Sequence, residues 1–491
     1  MSSRRSLRWA LGLTIAILLL AGCGEVAEEP GTTSTPVSQA ATSTPMPPTA
    51  TPTPVPPTAT PTPQPIGDAE AAYFRRMFLL LNPLSEETPQ KMLELRPPGE
   101  VANLHLNLAD AADAFISQWD TILSVQDPDL RQMLLEAAYD EYEKTVDQVR
   151  LGWEEYLSRY GLGLPVRYWG IAFTTPDDGW IIGDEGTILH YDGQEWQPYV
   201  SPTDENLVRI YMVNEDVGWI DGMEGALLQY ADGTWQEIEK PSSQPDIMNF
   251  SILGQNDVWM LATDTESENQ ITEILRWNGS SWSEVLSRPG EKLPIELQML
   301  DDQTGWIEYR NASWCLLLAN GAWEVLDLPL EPDELGALQF LDADSGWVTG
   351  TRGRIFYYDG SQWTEFETPA RWSLEDIHML SEDDGWAAGA VGTILHYDGL
   401  SWTEVPSPTK RDLSIRMYAQ NLGWARGDLG NVLRYDGSSW LDEELPLEQG
   451  FFEWPALPSP NDAWAIAELS GILHFDGTSW EVVYQWPDVV E

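Results

Sequence analysis

The sequence predicts a mainly β protein, an eight-bladed β-propeller preceded by a small α-helical region and a disordered Thr/Pro-rich linker. Three observations carry this reading. A tryptophan recurs at positions 180, 219, 259, 306, 347, 386, 424 and 464, at intervals of 38 to 47 residues. A second tryptophan follows each of these, at 196, 235, 282, 323, 363, 402, 440 and 480, and six of the eight pairs share the spacing of Trp180 and Trp196. Around these landmarks each unit breaks at Asp/Asn-Gly and Gly-x-x-Gly turns into four short alternating runs that read as strands. Four strands in about 40 residues make one propeller blade.

The chain order begins with an address. Arg4, Arg5 and Arg8 precede an apolar stretch from Trp9 to Leu20, of signal-peptide length and too short to span a bilayer comfortably. It ends in Leu20-Ala21-Gly22-Cys23, which resembles the bacterial lipobox: small residues before the cleavage point, then the cysteine whose sulfur takes a diacylglyceryl group. The resemblance implies a lipoprotein signal peptide over residues 1–22 and a lipidated Cys23, hence an extracytoplasmic protein anchored at the cell membrane or cell surface. Two or three acyl chains hold a protein stably where one does not. Residues 23–66 are then the lipidated N-terminus and a linker, almost all Thr, Pro, Ser and Ala from Pro30 to Pro65. Such a segment cannot bury a core and favours polyproline II. At about 3.1 Å per residue it reaches on the order of 100 Å.

Residues 67–163 change to helical periodicity. A first helix is expected over residues 68–81. Thr88-Pro89 reads as an N-cap followed by proline at the first helical position, opening a short helix that stops before Pro97-Pro98-Gly99. Leu104, Leu108, Ala111, Phe115, Trp119 and Ile122 mark one face of a third helix. Asp127-Pro128 opens a fourth, with Leu130, Leu134, Ala138, Tyr142, Val146, Val149, Trp153 and Leu157 along it. The stripe suits a helical hairpin or small bundle, a dimerising coiled coil being the alternative. Gly161, Gly163 and Pro165 end the helix, so the propeller is expected over 164–491.

Within the repeat, the position nine residues before the first Trp is Ile171, Ile210, Phe250, Leu297, Leu338, Ile377 or Ile415, with Pro455 the departure. Stacked blades need apolar bulk on both faces, and the paired tryptophans supply it, each burying about 150–250 Å². They are read as structure rather than as sugar-stacking platforms. The turn Tyr397-Asp398-Gly399-x-x-Trp402 resembles a shortened Asp-box, as in BNR-type propellers. Together with Gly385-Trp386-x-x-Gly389-x-x-Gly392-x-Ile394 it is similar to the photosystem II assembly factor-like group. The resemblance covers residues from about 167 to 487. It implies the fold; seven blades, usual in that group, are the alternative to eight, and no photosynthetic role follows.

Composition limits the partners. Against 26 Lys and Arg stand 79 Asp and Glu, a formal net charge of -53. Phosphate contacts need cations, so a nucleic-acid partner is excluded, as is docking on anionic lipid through a basic patch. The acidity suits solubility outside the cell, a cationic ligand or metal being the alternative. Cys23 and Cys315 are the two cysteines, which leaves no disulfide framework, and Cys315 in its apolar run reads as a buried thiol.

For chemistry, a sialidase-like mechanism would need an arginine cluster, a Tyr/Glu nucleophile pair and an acid. No Arg-Ile-Pro signature accompanies the propeller arginines, and no carboxylate pair stands out in so acidic a chain. No catalytic residue, metal site or cofactor is assigned. His190, His396 and His474 share one repeat position and are read as blade packing; the acidic turns Asp177-Asp178, Asp301-Asp302 and Asp383-Asp384 are read as Asx caps. Propeller topology puts the connections between blades and the second-to-third-strand turns on one rim. That rim should carry two tryptophans read as outside the repeat, Trp372 and Trp454, near Phe451, Arg371, Lys410, Arg411 and Arg352, with the insertion 263–270. Exposed aromatics beside cations suit a protein or glycan ligand. The expected function is a surface-anchored, non-enzymatic binding or assembly scaffold, with a glycan-active hydrolase or lyase as the alternative.

Overall fold

The computed structural model describes residues 68–81, 88–123, 125, 128–159, 165–242, 244, 246–264, 271–290, 292–319, 321–427, 431–446, 454–467 and 471–485. The expected signal peptide, Cys23, the Thr/Pro-rich segment, Phe451 and residues 265–270 lie outside the described residues. The helices and the strands belong to two compact units, each treated by itself below.

The helical unit contains α1 (Asp68–Leu81) apart from its residues 74–79, α2 (Thr88–Glu94), α3 (Ala102–Leu123) and α4 (Pro128–Ser158). Its interior is the apolar face shared by the two long helices: Leu108, Ala112, Phe115 and Ile122 from α3, and Tyr142, Val146, Val149, Trp153 and Leu157 from α4. Phe115 and Tyr142 stack at 5.4 Å between centroids. A buried polar pair crosses from α1, with the Tyr73 hydroxyl 3.2 Å from His105 Nδ1. Leu134 departs from the expected stripe and is exposed. A face followed in steps of four rotates by roughly 40° per step, so Leu134 lies about 80° round the helix from the buried Tyr142.

The other unit is built from eight four-stranded sheets, each made from four consecutive strands in simple order. The first comprises Tyr168–Thr175, Asp178–Gly183, Ile188–Tyr191 and Trp196–Tyr199. The innermost strands of blades two to eight are Leu207–Asn214, Asp246–Gly254, Pro294–Met299, Leu335–Asp342, Leu374–Ser381, Leu413–Ala419 and Ala456–Ser459. Every blade is a meander of antiparallel pairs, as the turn signals require. At the third-to-fourth-strand turn, Asp398 accepts hydrogen bonds from the Leu400 and Ser401 amides at 3.0 and 2.9 Å. The following glycine, Gly399, has φ +85°, a conformation that favours glycine.

Blade-to-blade packing repeats one contact. The first Trp of a blade meets the second Trp of the next blade edge to face: Trp180 with Trp235 at 5.6 Å, Trp386 with Trp440 at 5.7 Å, Trp424 with Trp480 at 5.5 Å. The ring closes by the same contact, Trp464 of blade eight meeting Trp196 of blade one at 5.6 Å. Phe173 and Tyr191 of blade one add centroids 5.4 and 4.9 Å from Trp464. Eight blades, not seven, therefore form the ring, and no strand is exchanged across the seam. Near the axis, side chains of one inner strand bond the backbone of the next. Asn249 exchanges two hydrogen bonds with Leu297, at 2.9 and 3.0 Å, and Gln339 does the same with Met379, at 3.3 and 2.7 Å.

Candidate functional site

The recurrent histidines are structural. His190, His396 and His474 stack on the first Trp of their own blade, 4.1, 4.4 and 4.2 Å between centroids. Their Nε2 atoms meet Asp178, Asp384 and Asp462 at 2.7, 2.9 and 2.9 Å. Blade three builds the same unit with an arginine in place of the histidine: Arg276 forks onto Asp257 with two bonds of 2.7 Å and lies 4.8 Å over Trp259. The expectation that all the acidic turns are Asx caps is thereby corrected. Asp301 does cap, accepting from the Gln303 amide at 2.7 Å. Asp178 and Asp384 instead turn their carboxylates to the imidazole of their own blade. Among the described residues, no group of three or more His, Cys, Asp and Glu is arranged to hold a metal. Cys315 is fully buried, and burial followed by the charge of Glu308 pushes its thiol up to about 12.

The second-to-third-strand turns and the interblade connections do share a rim. The Gly186 amide donates to Glu205 O at 3.0 Å, Thr351 to Glu334 O at 2.8 Å and Ala390 to Ser373 O at 2.9 Å. Across blades five to seven this rim becomes continuous. Thr368 donates to Gly353 O at 2.6 Å, and the Val391 amide donates to Asp412 at 2.8 Å. A Cβ on Gly392 would lie 2.1 Å from the Thr409 carbonyl oxygen, so the blade-six turn lies directly against the next connection. Arg352, Arg371, Trp372, Val391, Lys410 and Arg411 occupy this sector, and all six are exposed. Trp372 has 55% of its surface open. Arg352, Arg371 and Lys410 have no ion-pair partner among the described residues. Val391 is β-branched yet held at φ +60°, a strained conformation for such a residue that the same turn imposes on Glu185 in blade one and Arg352 in blade five.

Trp454 is not part of this sector, which corrects the expectation drawn from sequence. It is half-buried against the apolar cluster between blades seven and eight. The guanidinium groups of Arg416 and Arg426 each lie 5.0 Å from its ring. Trp454 is also in register with the repeat, ten residues before Trp464. In other blades that position holds Arg209, Asn249, Glu296 and Asp376, and the one two residues later holds Tyr211, His378 and Arg416. These residues belong to the innermost strands, and the sequence reading passed over them. Their signal was available: polar side chains recurring at fixed offsets inside otherwise apolar strands.

The inner-strand residues form a charged set. Arg209 forks onto the buried Asp221, with bonds of 3.1 and 2.6 Å to Oδ2, and also reaches Ile247 O at 2.7 Å. Glu296 and Glu308 are register partners on adjacent strands of blade four. Burial, then the charge of Glu296, raises the Glu308 carboxyl to about 7. Glu296 is itself raised by burial, offset by the charge of Arg416. Asp376 is raised to about 6 by burial, although it accepts the Ile415 and Ile377 amides at 2.8 and 2.9 Å. Beside it, burial and then Arg416 lower His378 to about 4, leaving the imidazole neutral at ordinary pH.

The fold and these two surfaces define a closed eight-bladed propeller with a cationic, aromatic rim sector and an ionisable axis. No protein-family model matches the chain, and no curated protein matches it in sequence. Solved structures it is similar to include YCF48 bound to D1 peptide, 20% identical over 55% of this chain and 93% of that one, with a TM-score of 0.43. YCF48 from Cyanidioschyzon merolae is 17% identical over 56% and 94%, with a TM-score of 0.41. The computationally designed Ika8 protein is 14% identical over 65% and 96%, with a TM-score of 0.49. At these identities and scores the likeness carries no argument about function.

Proposed function

We propose that this chain is a non-enzymatic binding or assembly scaffold, held outside the cytoplasm by a lipid on Cys23, that captures a partner protein on the rim of blades five to seven. One observation carries the reading: the exposed Trp372 stands among three cations without ion-pair partners, on a chain of net charge -53. An aromatic anchor flanked by unpaired cations complements an apolar residue beside carboxylates, so the segment captured is acidic. The lipid and linker support the same reading, since they would let the propeller reach partners on the order of 100 Å from the membrane.

The test is binding of an array of acidic peptides to the full chain, against Trp372→Ala and the charge reversal Arg371→Glu/Lys410→Glu. Peptide binding that weakens with salt and falls at least tenfold in either variant, a loss of about 1.4 kcal/mol or more, is expected. Unaltered binding in both variants would move the site elsewhere. Retention of acidic glycans in place of peptides would reassign the partner class. The alternative of a glycan-active hydrolase or lyase has one specific observation behind it, the adjacent carboxyls Glu296 and Glu308, one of which keeps its proton near neutrality. Turnover of polysaccharide by the wild type, abolished in Glu308→Gln, would establish it.

A further inference from the structure

Side chains of the inner strands clamp neighbouring blades together near the axis, and one of these clamps is half made. Asn249, ten residues before Trp259, donates to the Leu297 carbonyl at 2.9 Å and accepts the Leu297 amide at 3.0 Å. One side-chain amide thus satisfies both polar groups of one backbone residue across the junction of blades three and four. Gln339 holds Met379 in the same reciprocal way between blades five and six, at 3.3 and 2.7 Å. Asp376 stands ten residues before Trp386, in the slot of Asn249, and meets Ile415, the counterpart of Leu297, between blades six and seven. Its Oδ2 accepts the Ile415 amide at 2.8 Å, and its Oδ1 accepts the Ile377 amide of its own strand at 2.9 Å.

A residue of an antiparallel strand directs its N–H and C=O to the same side. Ile415 therefore turns its carbonyl, like its amide, toward blade six, and no side chain among the described residues donates to it. An ionised carboxylate only accepts, so it cannot make the second bond that Asn249 and Gln339 make; a protonated carboxyl has the donor.

We propose that Asp376 is a proton-operated clamp: one proton taken from solvent at Oδ1 lets it donate to the Ile415 carbonyl, completing between blades six and seven the reciprocal pair that amides hold at the other two junctions. Burial favours the protonated form and raises this carboxyl to about 6, against the pull of the two accepted amides and of the Arg416 and Arg426 charges. On its own strand, Glu375 points to the opposite face and His378 is neutral at ordinary pH. The strands beside it bring Asp342, at the end of the blade-five inner strand, and Asp384, held by His396 at 2.9 Å; the blade-five turn brings Arg352, on the rim. The clamped strand starts directly after Asp412, which accepts the Val391 amide, so the junction that closes on protonation also carries part of the rim.

Urea unfolding of the full chain and infrared spectroscopy test this together. The folded carboxyl lies above its unfolded value, so the stability it adds is present at low pH and lost as pH rises through about 6. Relative to Asp376→Asn, which carries donor and acceptor at every pH, the wild type should gain about tenfold in folding equilibrium constant between about pH 7.5 and about pH 5. Asp376→Ala, which offers neither bond, should fold about threefold or more less favourably than Asp376→Asn at both values. The donor itself is read in protein labelled with heavy carbon at its isoleucine carbonyls. One band should move to lower frequency as the wild type is acidified, stand there already at neutral pH in Asp376→Asn, and vanish in Ile415→Leu. Should Asp376→Asn misfold, Asn249→Asp replaces it and should import the same acid-strengthened stability into the junction of blades three and four. A wild-type band that stays in place, one that moves equally in Asp376→Ala, or a stability ratio that is flat with pH would overturn the proposal.

Discussion

Trp464→Ala tests ring closure directly. Trp464 is 4% exposed and sits at the seam, with centroids 4.9 Å from Tyr191, 5.4 Å from Phe173 and 5.6 Å from Trp196, all in blade one. A buried Trp removes about 150–250 Å² from water. At about 25 cal/mol per Å² that is about 4–6 kcal/mol. A compact unfolded chain already hides 10–40% of such area, leaving about 3–5 kcal/mol, which agrees with the usual cost of Trp→Ala in a packed core. Trp386→Ala, at an interior interface of the same construction, provides the control and should lose a similar amount. Urea unfolding followed by far-ultraviolet circular dichroism reads both. In a seven-bladed ring with the last unit outside it, Trp464 would lack its blade-one partners and its loss would be mild. A cost below about 1 kcal/mol for Trp464→Ala, with Trp386→Ala at full cost, would refute eight-blade closure.

Further outcomes follow from named residues. Cys23→Ala should abolish incorporation of labelled fatty acid and move the protein from the membrane fraction to soluble or precursor form; unchanged labelling would remove the lipid anchor from the account. Glu308 has a folded carboxyl raised from 4.5 to about 7 by burial and by Glu296. The folded state therefore holds this proton more tightly, and stability present below about pH 4.5 is lost as pH rises through about 7, by up to about 3 kcal/mol. Asp376 slopes the same way, and His378 the opposite way. The contribution of Glu308 is thus read as the difference between wild type and Glu308→Gln in urea midpoints across that window, and parallel curves would contradict it. Val391→Gly should be neutral or stabilise by up to about 1 kcal/mol, because glycine adopts φ +60° without strain; a loss of more than that would show the isopropyl group to be packed.

The legible and illegible parts of this molecule divide along sequence distance. Blade architecture is local: each tryptophan pair, turn and apolar strand position lies within one unit of about 40 residues, so repetition exposes it eight times over. The histidine units were legible in the same way. Asp178, Asp384 and Asp462 stand two residues before the first Trp in the three blades that carry the histidine, while blades two, five and seven have Val217, Ser345 and Leu422 there, with Gln229, Tyr357 and Arg434 in place of histidine. That co-occurrence signals a paired contact, which the Asx reading of the turns overlooked. The rim was partly legible because Trp372 falls in a connection, where no packing role claims it. Trp454 misled for a different reason: a tryptophan in a slot elsewhere filled by Arg209, Asn249, Glu296 or Asp376 looks irregular until the slot is recognised as inner-strand. The axis itself was not legible at all. Glu296 and Arg416 are separated by three blades of chain, and neither resembles a site within its own repeat. Only closure of the ring gathers the inner strands of distant blades round one axis, so the charge arrangement there is a property of the whole circle. A change of blade number would rearrange it while leaving every blade intact, which makes the seam at Trp464 as much a determinant of the axis as the charged residues themselves.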